Sequence, residues 1–147
     1  MPEIWSLQRT SGLSMNARQQ QDEWVAVADR FWGALDKGNV EEAVACYLPS
    51  ATTWHNFDQK SMTVAEAEAA HRAYVGSFFE RSTTEVRRDF FEDGFVQQHV
   101  LIVRMKPNGP RRAWAICVMM RFKDGKIASI AEYIDRAGSF SCDDESH

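Results

Sequence analysis

Apolar residues recur at helical spacing from Asn16 to Lys37. Trp24, Val27, Ala28, Phe31, Ala34 and Leu35 fall on one face, which predicts a single amphipathic helix. Gly38 suits its C-terminal cap, and Asn39 with Glu42 three residues on marks the start of a second, short helix through Tyr47, ended by Pro49 and Ser50. Thr52 to Phe57 reads as a short strand. After a polar loop, Thr63 and Glu66 form a capping box for a third helix to about Glu80.

The period then changes from helical to alternating. Strands are expected over Thr84 to Glu92, Phe95 to Lys106, Arg112 to Phe122 and Lys126 to Asp135, separated by Asp93-Gly94, Pro107-Asn108-Gly109-Pro110 and Asp124-Gly125. Helices first and an antiparallel meander after them imply an α+β fold. Three N-terminal helices would wrap a curved, cone-shaped sheet and enclose an apolar pocket. The domain is expected to run from residue 15 to 138, between a flexible N-terminal extension (1–14) and a flexible acidic tail (139–147).

Within the last strand, Ala128, Ile130, Glu132 and Ile134 share one face, while Ile127, Ser129, Ala131, Tyr133 and Asp135 share the other. Glu132 thus stands among apolar neighbours on the face expected to be buried. A carboxylate there is costly unless it is paired, protonated or at work. A structural pairing would use Arg104 or Arg121; a working carboxyl would have its proton affinity raised by the pocket.

Composition narrows the function classes. The chain of 147 residues suits one domain, with five Trp and nine Phe and a net charge of only −4, which argues against a nucleic-acid partner. No apolar run reaches the length of a membrane span, and the start lacks a signal-peptide layout. Cys46, Cys117 and Cys142 are odd in number and scattered, which fits a reducing cytoplasm. No metal-ligand spacing or phosphate-binding loop is present, so no metal and no cofactor is expected.

Two stretches carry a resemblance. Arg30-Phe31-Trp32-Gly33-Ala34-Leu35-Asp36-Lys37-Gly38-Asn39-Val40-Glu41-Glu42-Ala43 and the run from Phe122-Lys123-Asp124-Gly125-Lys126-Ile127 to Glu132-Tyr133-Ile134-Asp135 look like the SnoaL-like branch of the nuclear transport factor 2-like superfamily. The likeness spans roughly residues 22 to 138 and bears on fold more than on reaction. In SnoaL-type polyketide cyclases and limonene epoxide hydrolases, a catalytic aspartate falls at Glu132. The hydrolases' water-holding Tyr and Asn fall at Trp54 and Asn56, and their remaining Arg and Asp at His99 and Leu101. Leucine is no base, so that hydrolase constellation is incomplete here. In ketosteroid isomerases the oxyanion-stabilising Tyr and Asp would fall at Phe31 and near Val118, and the base near His55 or Asn56. Neither donor is present, which excludes that activity by that mechanism.

The resemblance and the residues together imply an enzyme acting by proton transfer on a small hydrophobic, aromatic or polycyclic molecule, through isomerisation, dehydration, cyclisation or water addition. Glu132 would be the general acid/base, His99 its partner, and Asn56 would fix a water or carbonyl. Trp54, Trp114, Val118, Leu101, Phe31 and His55 would line the substrate site. His71, among Glu and Arg on the third helix, reads as solvated surface. The alternative from another class is a non-catalytic carrier or sensor of an apolar ligand; such a protein gains little from a desolvated carboxyl.

The sheet face opposite the helices carries Ala113, Ala115, Cys117, Met119 and Arg121 on one strand and Ile127, Ser129, Ala131, Tyr133 and Asp135 on the next. Such a small, apolar face predicts an interface, and two copies meeting on it would form a homodimer. The expected mass in solution is twice 16.8 kDa, with Met119→Lys shifting the protein toward monomer. Light scattering that returned the single-chain mass for the unmodified protein would contradict this.

Overall fold

The computed structural model of the chain describes residues 14–142. Helix α1 (Met15–Asp36) opens on Ser14, whose hydroxyl accepts from the Ala17 N–H, and Gly38 leaves it with φ +76°. Asn39 caps α2 (Val40–Val44) by accepting from the Glu42 N–H. Strand β1 (Tyr47–His55) pairs with the two-residue β2 (Ser61–Met62). Thr63 and Glu66 complete their capping box at the start of α3 (Val64–Val75). The meander follows as β3 (Glu80–Phe91), β4 (Gly94–Arg104), β5 (Arg111–Lys123) and β6 (Lys126–Ile134), with β7 (Phe140–Ser141) added at the start of β5.

The sheet runs β2-β1-β6-β5-β4-β3, with β7 beside β5. It is mixed: β1 lies parallel to β6, and the other pairings are antiparallel. It curls around the helices without closing, since β2 and β3 remain edges. Bulges set part of the curl. One lies in β3 between Thr84 and Arg87, where Glu85 takes φ 53°, and one lies in β6 between Ile127 and Ser129, opposite Phe122 and Arg121 of β5. At the β3–β4 turn, a Cβ on Gly94 would come within 1.9 Å of the Met120 carbonyl oxygen, so β4 approaches β5 as closely as only glycine allows.

The core lies between the concave face of the sheet and the helices. Phe31 from α1 is enclosed with Phe95, Val103, Val118 and Met120 from β4 and β5. Trp24 stacks on Phe122 at 5.7 Å. No helix among the described residues is long and apolar enough to cross a membrane.

Several boundaries differ from the sequence reading. Tyr47 begins β1 rather than ending α2, and Pro49 and Ser50 sit inside that strand. Pairing with β6 is interrupted between Tyr47 and Thr52, which is where a residue lacking an N–H is tolerated. Helix α3 stops at Val75 because Gly76 caps it, and β3 starts at Glu80 instead of Thr84. As an edge strand β3 is mostly polar, so alternation does not reveal its first turn of residues. Phe140 and Ser141, within the tail expected to fray, pair with Ala113 and Arg112. Ile127 is buried rather than on the outer face, because the bulge pairs it with Phe122. The extension before Ser14 and the tail beyond Cys142 lie outside the described residues.

Candidate active site

Strand alternation aims Ile130, Glu132 and Ile134 from β6 into a cavity of about 490 Å³ between the sheet and helices α1 and α3. That volume is in the range of small-molecule sites. The wall is aromatic and aliphatic, with Phe31, Trp32, Leu101, Trp114 and Ile116 among its residues. The parallel register of β1 against β6 sets His55 directly opposite Glu132. His55 Nε2 lies 3.9 Å from Glu132 Oε1, and the two side chains are only 18% and 20% exposed.

Burial raises the proton affinity of Glu132. The positive fields of His55 and Arg81 oppose that rise. The structural pairing with Arg104 or Arg121 is absent: Arg104 bonds Glu80 and Arg121 bonds Asp93, both away from the cavity. The carboxyl is thus desolvated, beside an imidazole and open to a ligand.

The imidazole beside Glu132 is His55, not His99. His99 projects from β4, opposite Ile116 on β5, which in turn faces Ile134 on β6. It lines the cavity, and its Nδ1 is bonded to Gln97 Nε2 at 2.9 Å. Asn56 turns its side-chain amide onto the β6 backbone. Its Nδ2 donates to the Ile134 carbonyl at 3.2 Å and its Oδ1 accepts from the Ile134 N–H at 2.9 Å, so both ends of the amide are spent on the β6 backbone. Trp54 faces the outer side of the sheet, against Tyr133 at 5.2 Å. Val118 is fully buried in the core and is not among the cavity-lining residues. Phe31, Leu101 and Trp114 line the cavity, and the Trp114 indole donates to the Arg136 carbonyl.

Three cavity groups were not singled out by the sequence. His71, read as surface, turns inward from α3 and hydrogen-bonds the Tyr47 hydroxyl at 2.9 Å through Nε2. Burial pushes the Tyr47 phenol well above its ordinary range. Arg81, from β3, has a side chain only 7% exposed and donates from Nε to Asp36 Oδ1. Asp36 also accepts from the N–H and hydroxyl of Thr83, so the last residue of α1 anchors a buried cation at the cavity wall. No signal in the local pattern marks these residues, since each reaches the cavity from a different element. Among the described residues, no group of three or more His, Cys, Asp and Glu side chains is placed to hold a metal ion.

With this geometry in view, residues 28–130 match the profile of the SnoaL-like domain. The chain belongs to the SnoaL-like domain family. Comparison with curated proteins gives no sequence match. Among solved structures, this SnoaL-like chain is similar to AusH from Aspergillus nidulans, with a TM-score of 0.69 and 16% identity over 79% of this chain and 86% of that one. It is also similar to an LEH-like epoxide hydrolase of M. tuberculosis, with a TM-score of 0.64 and 14% identity over 78% and 84%. A protein with a ketosteroid isomerase-like fold from Catenulispora acidiphila, solved in complex with trimethylamine, aligns at a TM-score of 0.65 and 13% identity over 73% and 83%. At these identities the likeness establishes the fold, and the SnoaL-like cavity must be read on its own residues.

The cavity histidines give a stability signature. Burial, reinforced by Arg81 in each case, lowers both His71 and His99 to about 4, whereas an unfolded histidine titrates near about 6.5. Between roughly pH 4 and 6.5 the unfolded chain therefore binds more protons, and the histidines make stability rise with pH. Glu132 acts in the opposite sense. Its raised affinity lets the folded state keep a proton that the unfolded chain releases above about 4.3, so its contribution is lost as pH rises. Urea denaturation across this window is expected to show stability increasing with pH, and Glu132→Gln should steepen the increase. A flat profile in both proteins would contradict these assignments.

Proposed function

We propose that this protein is a cofactor-independent acid/base enzyme that moves a proton on a small hydrophobic, aromatic or polycyclic substrate. The observation that carries this reading is the Glu132–His55 pair at 3.9 Å inside a largely apolar cavity. A carboxyl whose proton affinity is raised toward neutrality exchanges protons efficiently at cellular pH. His55 stabilises the ionised form when it carries charge, and it is placed to take up or return the proton between turnovers. Glu132 is the acid/base and His55 its partner; Phe31, Leu101 and Trp114 hold the hydrophobic body of the substrate. The reactions open to this chemistry are isomerisation, dehydration and cyclisation; the fold shared with an LEH-like epoxide hydrolase adds water addition to that set.

We further propose that the protein works as a homodimer through the outer sheet face. Tyr133 is 43% exposed there, against Trp54, and Cys117 and Met119 are only half-buried. Such a face supports an interface.

Screening aromatic and terpenoid ketones, alcohols and epoxides for product, and for deuterium uptake from heavy water, is expected to identify a substrate. On it, Glu132→Gln should lower kcat by roughly 10²–10⁴-fold, and His55→Gln should lower it less and shift its pH profile. Full turnover by Glu132→Gln would overturn the assignment. Binding of panel members with neither product nor exchange would favour a carrier.

A further inference from the structure

Beyond Glu132 the alternation of β6 carries on into the turn that follows it. Ile134 and Arg136 line the cavity together with Ile130 and Glu132. Arg136 is four residues past Glu132, no more than ~14 Å away from backbone to backbone. The large exposed side chains of the lining, Phe57, Tyr74, Met105 and Arg136, mark the cavity mouth. A row of side chains joins this mouth to the acid/base pair. Glu132 meets His55, the His55 ring lies 5.0 Å from that of Phe57, and the Arg136 guanidinium lies 4.4 Å over Phe57.

Arg136 is held in place without being neutralised. Its carbonyl accepts from the Trp114 indole at 3.1 Å, and Phe57 supports the flat face of its guanidinium. Stacking of that kind leaves the N–H groups on the edge of the plane able to bond. Arg30, Arg72, Arg81, Arg88, Arg104 and Arg121 each have a carboxylate partner, whereas no ion pair engages Arg136 among the described residues. The acids next to Arg136 and Phe57 in the chain are turned onto their own loops. Asp135 Oδ1 accepts from the Ala137 N–H at 3.1 Å, and Asp58 Oδ1 accepts from the Lys60 N–H at 3.0 Å.

Tyr74 reaches the same mouth from α3, with the Arg81 guanidinium 5.5 Å over its ring. Burial raises the proton affinity of its phenol, and the fields of Arg81 and Arg136 oppose the rise. The phenol keeps its proton at neutral pH and is a second donor near Arg136. Arg81 is balanced by Asp36, so the uncompensated positive charge of the lining stands at the mouth. An ionised Glu132 repels an anion from the inner end.

We infer that Arg136, with Tyr74, forms a subsite for a carboxylate at the cavity mouth, and that the substrate is a hydrophobic carboxylic acid. The inference rests on the reading of this cavity as the substrate site of Glu132. The apolar body of the acid lies inward against Phe31, Leu101 and Trp114, and its carboxylate stays in the fork of Arg136. Attraction at the mouth and repulsion at the inner end select one orientation. The carbon presented to Glu132 then belongs to the apolar body rather than standing beside the carboxylate.

The test uses 2-naphthylacetate and its uncharged counterpart 2-(2-naphthyl)ethanol as probes, titrated calorimetrically at low ionic strength. The unmodified protein is expected to bind the acid about fivefold more tightly than the alcohol, and added salt should narrow the gap. Arg136→Gln should abolish the preference and leave alcohol binding unchanged, while Arg136→Lys should keep part of it. Tyr74→Phe should reduce it. Lys123→Gln removes an exposed cation outside the cavity lining and should not. Equal binding of the two probes, no binding of either at millimolar concentration, or an undiminished preference in Arg136→Gln would overturn the subsite. Equal erosion by Lys123→Gln would overturn it too, because the effect would then be one of net charge. Glu132→Gln should retain the preference. Retention together with full turnover of an identified substrate would leave the carboxylate subsite standing and remove the acid/base role instead.

Discussion

Asn56 joins two strands that no turn connects. Its backbone N–H donates to the Glu132 carbonyl at 3.1 Å, and its side-chain amide makes a two-way bond with the backbone of Ile134. The parallel pairing of β1 with β6 closes a loop of most of the domain, so it carries a loop-closure entropy that local hairpins avoid. The meeting of Glu132 and His55 follows from that register. A slip of one residue would put Trp54 beside Glu132 and send His55 to the outer face. Asn56 thus bears on the site by holding the strand that carries Glu132.

The cavity that results has two unlike walls. Glu132 and His55 stand on β6 and β1, where the carboxyl is desolvated and its proton affinity rises. Trp32, Arg81 and His99, from α1, β3 and β4, also line the cavity. Arg81 connects the walls through its field: it opposes the rise at Glu132 and depresses both His71 and His99. The Asp36 carboxylate holds this buried cation with help from Thr83, which offsets the desolvation that an unpaired guanidinium would suffer. Hydrophobic surroundings thereby coexist with a graded electrostatic field, the condition under which fixed dipoles stabilise developing charge most effectively.

The local part of this design was legible in the sequence. The alternation of Ile130, Glu132 and Ile134, the Asp124-Gly125 turn with φ of 51° and 74°, and the Thr63–Glu66 capping box all act over a few residues, so they read directly. The helices-then-meander order gave the SnoaL-like architecture. Long-range facts were not legible. That His55 rather than His99 meets Glu132 depends on a parallel pairing between strands far apart in the chain. His71 sits in a polar helix segment, and only the packing of α3 over Tyr47 turns it inward. Arg81 lies on a polar edge strand that resembles any solvated one. Asn56, expected to fix a water or carbonyl, turns its amide to the backbone, which spacing does not reveal.

Central to this account is that Glu132 is a desolvated carboxyl with raised proton affinity in the folded protein. The most direct measurement is a carbon-13 NMR titration of glutamate side-chain carboxyls in the unmodified protein and in Glu132→Gln. The account predicts one carboxyl resonance that titrates above the ordinary glutamate range and is missing from the variant. If every resonance in the unmodified protein titrated within the ordinary range, Glu132 would be an unperturbed, solvated acid and the account would be contradicted.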